Sequence, residues 1–286
     1  MKLASLKMAS EFEQVSIEKV KEFWDRRPCN ILHSSRPVGL KEYFEEVRAR
    51  RYFVESHIPQ FAQFERWRDK KVLEIGCGIG TDTASFAQHA AAVTAVELSG
   101  VSLEVARQWA KIYGLEDRIQ FYCGNAEELV SFVPFEPYDL IYSFGVIHHS
   151  PHPERIIAQL RYYARAGTTL KIMLYHRYSF KALWILFTYG RGMFWRWKDL
   201  IARYSEAQTG CPVTYTYTPA EVSDMLEGNG FRIEEMRVDH IFPYRISDYK
   251  NYRYVKVWYF RRMPARWFRW LERHFGWHLC VTARAV

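Results

Sequence analysis

Short apolar runs alternate with amphipathic helical patterns along the middle of the chain. The runs lie at residues 72–75, 93–97, 118–123, 138–143 and 168–175, and helical patterns occupy residues 101–113 and 153–164. A run that is apolar almost throughout is typical of a parallel strand buried on both faces. The alternation of such strands with helices predicts an α/β core between residues 70 and 176.

The pattern outside this core is mostly helical. Helical spacing of apolar residues predicts helices at residues 11–27 and 41–55 and a third short element at 59–67. A Thr-Pro-x-Glu capping box predicts a helix that ends at Glu227, and the alternation that follows predicts a strand at residues 231–238. The last predicted elements are a strand at residues 255–260 and a basic helix at 264–275. Gly167 is predicted to end the helix before the fifth strand.

Three alternating glycines follow the first predicted strand directly. Gly76, Gly78 and Gly80 permit a sharp turn and a close approach of a ligand to the backbone. The third glycine comes one residue before the position that a dinucleotide-binding turn requires, which is Thr81 here. Glu74 at the strand end would repel a pyrophosphate but attract a cationic amino group. The pattern predicts a nucleotide-binding turn that favours a cationic ligand.

A second carboxylate ends the next strand. Glu97 lies 19 residues beyond Gly78 (97 − 78), at the strand end where nucleotide-binding folds hold ribose hydroxyls. Ser99 and Asn125 each precede a helical pattern and are predicted N-cap residues. Glu97 is therefore the candidate ribose ligand.

The sequence resembles the class I S-adenosyl-L-methionine (SAM)-dependent methyltransferases in three features. They are the spacing Glu74-x-Gly76-x-Gly78-x-Gly80, the acid Glu97, and the Gly-Val-Ile-His-His turn at residues 145–149. The turn is similar to that of the small-molecule branch typified by quinone-biosynthesis (type 11/12) methyltransferases. The Asn/Asp-Pro-Pro-aromatic turn of nucleic-acid amino-methyltransferases is absent from the sequence. The resemblance covers residues 70–176 and is weaker at 217–240.

The resemblance implies an α/β fold with a Rossmann-like seven-stranded mixed sheet and helices on both faces. It implies a helical lid at residues 1–69 that contributes to the acceptor pocket, and a SAM-binding core at 70–176. An aromatic-rich cap insertion at 177–216 would follow the fifth strand, and residues 217–286 would complete the sheet and add the basic helix. A helical layer that only packs on the sheet is the alternative for the first region.

The resemblance also implies SAM as the cofactor, S-adenosylhomocysteine as the product, and a role for each matching residue. The glycine loop would pass under the methionine end of SAM, Glu97 would hold the ribose, and Asn125 would contact the adenine amino group. The predicted cofactor-binding residues are Glu74, Gly76, Cys77, Gly78, Gly80, Thr81, Glu97, Leu98, Asn125, Ala126, Ser143, Phe144 and Gly145.

Catalytic residues are predicted from their places near the ligand edge of the sheet. Acceptor-binding residues are predicted there too, and in the N-terminal helices, which in similar methyltransferases supply part of the acceptor pocket. His149, and after it His176, are candidate general bases, with packing or hydrogen bonding as their alternative role. The predicted substrate-binding residues are Trp24, Arg27, His33, Tyr43, Tyr52, His148, Tyr175, Arg177 and Tyr244.

Composition excludes some classes of protein. Apolar residues make up 49% of the 286-residue chain and charged residues 25%, which are globular values. The five cysteines are odd in number and have no paired spacing, so no disulfide framework and no metal site is expected. We expect a reducing, cytoplasmic location, because no window has the length of a membrane span and the first residues lack the apolar core of a signal peptide.

Residues 241–286 differ in character from the rest of the chain. They carry ten Lys or Arg, two acids and thirteen aromatic residues, a net charge of +8 (10 − 2). Three interpretations stay open: a helix packed on the edge of the sheet, a peripheral contact with a membrane or lipid-like acceptor, and nucleic-acid binding. The first is favoured and the last is least favoured.

These features together predict a SAM-dependent methyltransferase that acts on a small or medium-sized organic acceptor, at the oxygen of a carboxylate or hydroxyl. The abundance of Arg and Tyr suits a carboxylate or phenol. Lipid-like and peptide acceptors are compatible with the pattern. RNA or peptide methylation is one alternative, and a non-catalytic SAM-binding partner subunit is another. Both a monomer and a homodimer are compatible with the sequence.

Overall fold

A computed structural model describes residues 11–192, 194–205 and 210–286. Within them one seven-stranded sheet has the order β3-β2-β1-β4-β5-β7-β6. Strand β7 is antiparallel to its neighbours β5 and β6, and the other pairs are parallel. The strands are β1 Lys71–Ile75, β2 Ala92–Glu97, β3 Ile119–Cys123, β4 Tyr138–Phe144, β5 Ala164–Tyr175, β6 Phe231–Asp239 and β7 His278–Ala285. The predicted Rossmann-like mixed sheet is confirmed.

The helices begin and end close to their predicted bounds in the core. They are α1 Ile17–Arg26, α2 Lys41–Val54, α3 His57–Ala62, α4 Thr81–Gln88, α5 Gly100–Ile112, α6 Pro153–Tyr163, α7 Phe180–Tyr189, α8 Trp197–Tyr204, α9 Pro219–Glu227, α10 Ile246–Lys250, α11 Trp258–Arg262 and α12 Ala265–Phe275. The predicted caps form: Ser99 accepts from the backbone N–H of Ser102, and Thr218 and Glu221 form a reciprocal capping box. None of the helices in the described ranges is long and apolar enough to cross a bilayer.

Two apolar layers cover the sheet, one on each face. Successive residues of β1 point to opposite layers: Val72 packs with helices α2 to α5, and Leu73 packs with α6 and α9. Both residues are fully buried. This burial on both faces explains the continuous apolar runs of the sequence.

The N-terminal helices pack against the nucleotide-binding half of the sheet. Helix α2 contacts α4 and α5, and α1 contacts α5. Helix α2 presents Phe44 to Trp109 of α5, with ring centroids 4.7 Å apart. Helix α1 lies near the carboxyl ends of β1 and β2, where Val20 and Trp24 border the same cavity as Ile75 and Glu97. Residues 1–10 of the predicted lid, and residues 193 and 206–209 of the predicted cap, lie outside the described residues.

Two predicted element assignments are wrong. Residues 255–260 do not form a strand, because helix α11 begins at Trp258 and the last strand of the described chain is β7. Gly167 does not end a helix: α6 ends at Tyr163, and Gly167 lies within β5 at a φ of +89°. Strand β7 is covered on both faces, so its sequence lacks the polar–apolar alternation that identifies a half-exposed strand.

Candidate active site

The three glycines of the loop after β1 differ in what a side chain would meet at each position. A Cβ on Gly76 would lie 2.2 Å from Cγ2 of Val146, and a Cβ on Gly80 would lie 2.8 Å from Cβ of Ala106. A Cβ on Gly78 would have no heavy atom within 4 Å and would point into open space. All three have a positive φ, which strains other residues. Only Gly78 thus leaves its space for a ligand.

Glu97 holds the loop from the end of β2. Its carboxylate accepts the backbone N–H of Gly78 at 2.9 Å and that of Ser99 at 2.8 Å. Burial raises the pKa of Glu97, while these N–H donors act in the opposite direction. The same carboxylate borders the cavity above the loop. It can therefore shape the loop and still offer oxygen lone pairs to a ligand hydroxyl.

A cavity that is open to solvent lies at the carboxyl ends of the strands. Nine of the thirteen predicted cofactor residues border it. They come from the glycine loop, the ends of β2 and β4 and the turn after β3, and they are Gly76, Cys77, Gly78, Glu97, Leu98, Asn125, Ala126, Phe144 and Gly145. The structure thus brings most of the predicted cofactor set to one cavity.

The other four predicted cofactor residues lie behind the cavity wall. Glu74 accepts a 2.6 Å hydrogen bond from the hydroxyl of Thr83, and Ser143 donates to the carbonyl of Ile75 at 3.1 Å. Burial and the nearby Asp82 raise the pKa of Glu74 to about 8. Gly80 and the fully buried Thr81 pack inside the fold.

A second part of the cavity wall is aromatic and basic. Trp24, His149 and Tyr175 border it, and the ring of His149 lies edge-on to Trp24 and to Tyr175, with centroids 5.2 and 5.5 Å away. His149 Nδ1 lies 2.8 Å from the carbonyl oxygen of Val213. A carbonyl can only accept, so Nδ1 carries the proton and Nε2 is the basic nitrogen of the neutral ring.

The remaining predicted acceptor residues do not border the cavity. His33 Nε2 lies 3.2 Å from the Tyr249 hydroxyl, and burial lowers the pKa of His33 to about 3. His148 is fully buried under the ring of Tyr175. Three of the others are within hydrogen-bonding distance of a group in the fold: His176 of the carbonyl of Gly276, Tyr43 of the carbonyl of Ile31, and Tyr52 of the carboxylate of Asp82. Arg177 forms an ion pair with Glu221, and the ring of Tyr244 packs against that of Phe53. Arg27 lies at the C-terminal end of α1.

Arg51 is a cavity residue that the sequence did not indicate. It extends from α2, borders the cavity and pairs with Oδ2 of Asp82 at 3.0 Å. Asp82 also accepts the hydroxyls of Tyr52 and Tyr142 at 2.9 and 3.0 Å. The sequence carries no motif for this network, since its members come from α2, α4 and β4. The network fixes a cation in the cavity wall.

The comparisons with known proteins agree with this geometry. The model of a methyltransferase domain matches residues 72–167. An uncharacterised protein of Synechococcus sp. is 34% identical over 107 residues, which are 37% of this chain and 25% of that protein. A ubiquinone biosynthesis O-methyltransferase of Coxiella burnetii is 28% identical over 151 residues, 53% of this chain and 55% of the enzyme. The chain therefore spans at most about half of these relatives.

Solved structures share the fold at low sequence identity. Magnesium protoporphyrin IX methyltransferase from Synechocystis PCC 6803, with bound S-adenosylhomocysteine, has a TM-score of 0.59 at 14% identity and covers 95% of this chain and 100% of that one. Geranyl diphosphate C-methyltransferase from Streptomyces coelicolor has a TM-score of 0.59 at 14% identity and covers 97% and 99%. These structures share the fold, and the family match, together with the loop geometry, identifies residues 72–167 as a methyltransferase domain of the predicted SAM-dependent class.

Proposed function

We propose that this protein transfers the methyl group of SAM to an oxygen of a small or medium-sized organic acceptor. One observation carries the proposal: a single cavity is bordered both by the cofactor-type elements, the glycine loop and Glu97, and by the group of Trp24, His149 and Tyr175. A cofactor held by the first group would face an acceptor held by the second. Similar proteins include a ubiquinone biosynthesis O-methyltransferase, a magnesium protoporphyrin IX methyltransferase and a geranyl diphosphate C-methyltransferase, which supports a small acceptor.

SAM supplies an activated methyl group on a sulfonium sulfur. The task of the protein is then to align the acceptor oxygen and exclude water, which contributes up to roughly 7–11 kcal/mol in well-oriented systems. Trp24 offers a flat apolar face against which a planar acceptor can pack, and Tyr175 borders the cavity beside it. Arg51 adds one fixed positive charge to the same wall.

His149 is the candidate general base. With Nδ1–H donating to the carbonyl of Val213, the ring presents Nε2 as the nitrogen that takes a proton. As the acceptor oxygen forms its bond to the methyl carbon and the sulfur–carbon bond breaks, the O–H proton moves to Nε2. A carboxylate acceptor has no such proton to lose. His149 is therefore needed for a hydroxyl acceptor and dispensable for a carboxylate.

The first experiment is transfer of isotopically labelled methyl from SAM into a cell extract that is afterwards separated into lipid, small polar, peptide and RNA fractions. We expect label in a small-molecule or lipid fraction that is released by alkaline hydrolysis if it is an ester and is stable if it is an ether. Label in RNA or peptide alone would refute the small acceptor. SAM binding without label in any of several extracts would support the non-catalytic alternative.

Variants separate the cofactor part of the cavity from the acceptor part. Glu97→Ala should weaken SAM binding in calorimetry, whereas Glu104→Ala, on the exposed face of α5, should leave it unchanged. His149→Ala should retain SAM affinity and lose turnover on a hydroxyl acceptor. Wild-type SAM affinity in Glu97→Ala would contradict the placement of the cofactor. A His149→Ala enzyme that keeps its activity on a hydroxyl acceptor would show that His149 has only a packing role.

A further inference from the structure

Four residues from distant parts of the sequence meet beside the cavity and are not used by the proposed reaction. Glu55 ends α2, His57 begins α3, His240 follows β6 and His278 begins β7. One ligand atom from each of Glu55, His240 and His278 lies within 4.8 Å of the other two. The three histidines are buried, and Glu55 is half-buried. We propose that Glu55, His240 and His278 bind a divalent transition-metal ion of the Zn²⁺ type.

The donor set has the composition that such an ion takes. Two imidazole nitrogens and one carboxylate oxygen are the ligands of many zinc sites with an open fourth position. Ligands about 2.1 Å from a tetrahedral ion are about 3.4 Å apart. His278 Nε2 and Glu55 Oε1 are already 3.7 Å apart. The ligand atoms farthest from each other are at most 4.8 Å apart, so their distance must shorten by at most about 1.4 Å to reach 3.4 Å. Rotations of the side chains provide that movement.

His57 supports the site through a hydrogen bond to a ligand. Its Nε2 lies 2.9 Å from Nδ1 of His278. If Nε2 of His278 binds the ion, the proton of that ring must be on Nδ1, so Nδ1 donates and His57 accepts. Metal-binding histidines almost always donate their second N–H in this way, which fixes their tautomer and orientation. His57 is thus a positioning residue.

The backbone holds His240 and His278 in place. Asp239 pairs with His278 in the register of β6 and β7, and the carbonyl of His240 accepts the N–H of Trp277 at 2.8 Å. His240 has a φ of +68°, a left-handed conformation that is uncommon outside glycine and is concentrated at functional positions. The rings of His240 and His278 lie next to each other, with centroids 4.6 Å apart and an angle of 25° between the ring planes.

Glu55 supplies the negative charge of the proposed donor set, and Lys181 and Arg51 are nearby cations. Glu55 directs Oε1 towards His278 and has Oε2 3.9 Å from Nε of Arg51. The guanidinium of Arg51 is itself paired with Asp82 at 3.0 Å, so Glu55 is not needed to neutralise it. The ring of Phe144 lies edge-on to His278 at 5.6 Å and gives the site an apolar side. The ion would join α2 to the antiparallel strands.

The test measures metal on the full chain, without SAM or acceptor, so that it is independent of the proposed function. Chelator-treated protein is titrated with Zn²⁺ against a chromophoric competitor, and Co²⁺ is added separately for its visible absorption. We expect one Zn²⁺ per chain, a tetrahedral Co²⁺ spectrum and thermal unfolding raised by about 5 °C when Zn²⁺ is in roughly hundredfold excess over its dissociation constant.

Variants of the proposed ligands, compared with variants of a surface His–Glu pair, test whether Zn²⁺ binds at this site. Glu55→Gln and His240→Asn, where Asn tolerates the left-handed backbone, should bind Zn²⁺ at least tenfold more weakly, and His57→Phe should weaken it about 10- to 100-fold. His152→Asn and Glu154→Gln alter a surface pair of similar separation, 3.8 Å, and should leave binding unchanged. Wild-type affinity in the folded Glu55→Gln and His240→Asn proteins, or no Zn²⁺ bound by the wild type, would overturn the proposal.

Discussion

Asp82 is the residue whose removal should destabilise the cavity wall most. It is buried and accepts three hydrogen bonds, from Arg51 at 3.0 Å, Tyr52 at 2.9 Å and Tyr142 at 3.0 Å. Asp82→Ala leaves the guanidinium of Arg51 without its close partner in a place where only 12% of that side chain is exposed. Removing one partner of a buried ion pair typically costs about 3–5 kcal/mol.

Further variants separate the contribution of one hydrogen bond to Asp82 from that of its ion pair with Arg51. Tyr142→Phe removes one of the three hydrogen bonds and should cost about 1 kcal/mol. Arg51→Met combined with Asp82→Ala removes the stranded cation, so the double variant should lose less stability than Asp82→Ala alone. Glu22→Ala breaks an exposed pair with Arg26 and serves as the control, with a loss under about 1 kcal/mol.

The assay is denaturant unfolding of each variant, with the free energy of unfolding taken by linear extrapolation. A loss below about 1 kcal/mol for Asp82→Ala would show that the buried charge is solvated in solution. A double variant whose loss equals the sum of the two single losses would show that Arg51 and Asp82 do not interact. Either result would refute the argument that this network fixes Arg51 in the cavity wall.

Three further predictions address the loop, a buried acid and a helix cap. Gly76→Ala should reduce thermal stability more than Gly78→Ala, because its Cβ would overlap Val146, whereas Gly78→Ala should mainly weaken SAM binding in calorimetry; equal stability losses would contradict this assignment. The pKa of Glu74 is raised to about 8, so the folded wild type keeps a proton that the unfolded chain has already lost, and its stability falls as pH rises from about 4.5 to 8. Glu74→Gln lacks this group, so its free energy of unfolding should increase relative to that of the wild type over the same pH range. Parallel pH profiles of the two proteins would contradict this prediction. Thr218→Ala removes the capping box of α9 and should cost about 1 kcal/mol in urea unfolding, and an unchanged midpoint would show that the cap is not needed.

The parts of the fold that the sequence predicted are those with local signals. Strands β1 to β5, the glycine loop and the caps at Ser99 and Thr218 each follow from apolar runs, glycine spacing or capping residues. Strand β7 has no such signal, because its side chains are covered on both faces and its pairing partners are β5 and β6, which are distant in sequence. Aromatic and β-branched residues at 255–260 favoured a strand, but tertiary packing of α11 determined the conformation.

Some residues of the candidate site could likewise be predicted from local sequence signals, and others could not. Residues on the loop and at strand ends, such as Gly78, Glu97 and Asn125, could be placed because sequence position fixes them at the carboxyl edge of the sheet. Arg51 could not, since its side chain reaches the cavity from a helix whose orientation only packing decides. The cluster of Glu55, His57, His240 and His278 spans more than two hundred residues and shows no ligand spacing in the sequence.

The position of β7 between β5 and β6 has a consequence for how the protein is made. Strand β6 has β7 as its neighbour in the sheet, and β7 in turn is the neighbour of β5. While the ribosome is translating residues 231–277, β6 has no strand to pair with, and the edge of β5 is open. The nascent chain must keep both edges from aggregating until residues 278–285 emerge and fill the gap between them.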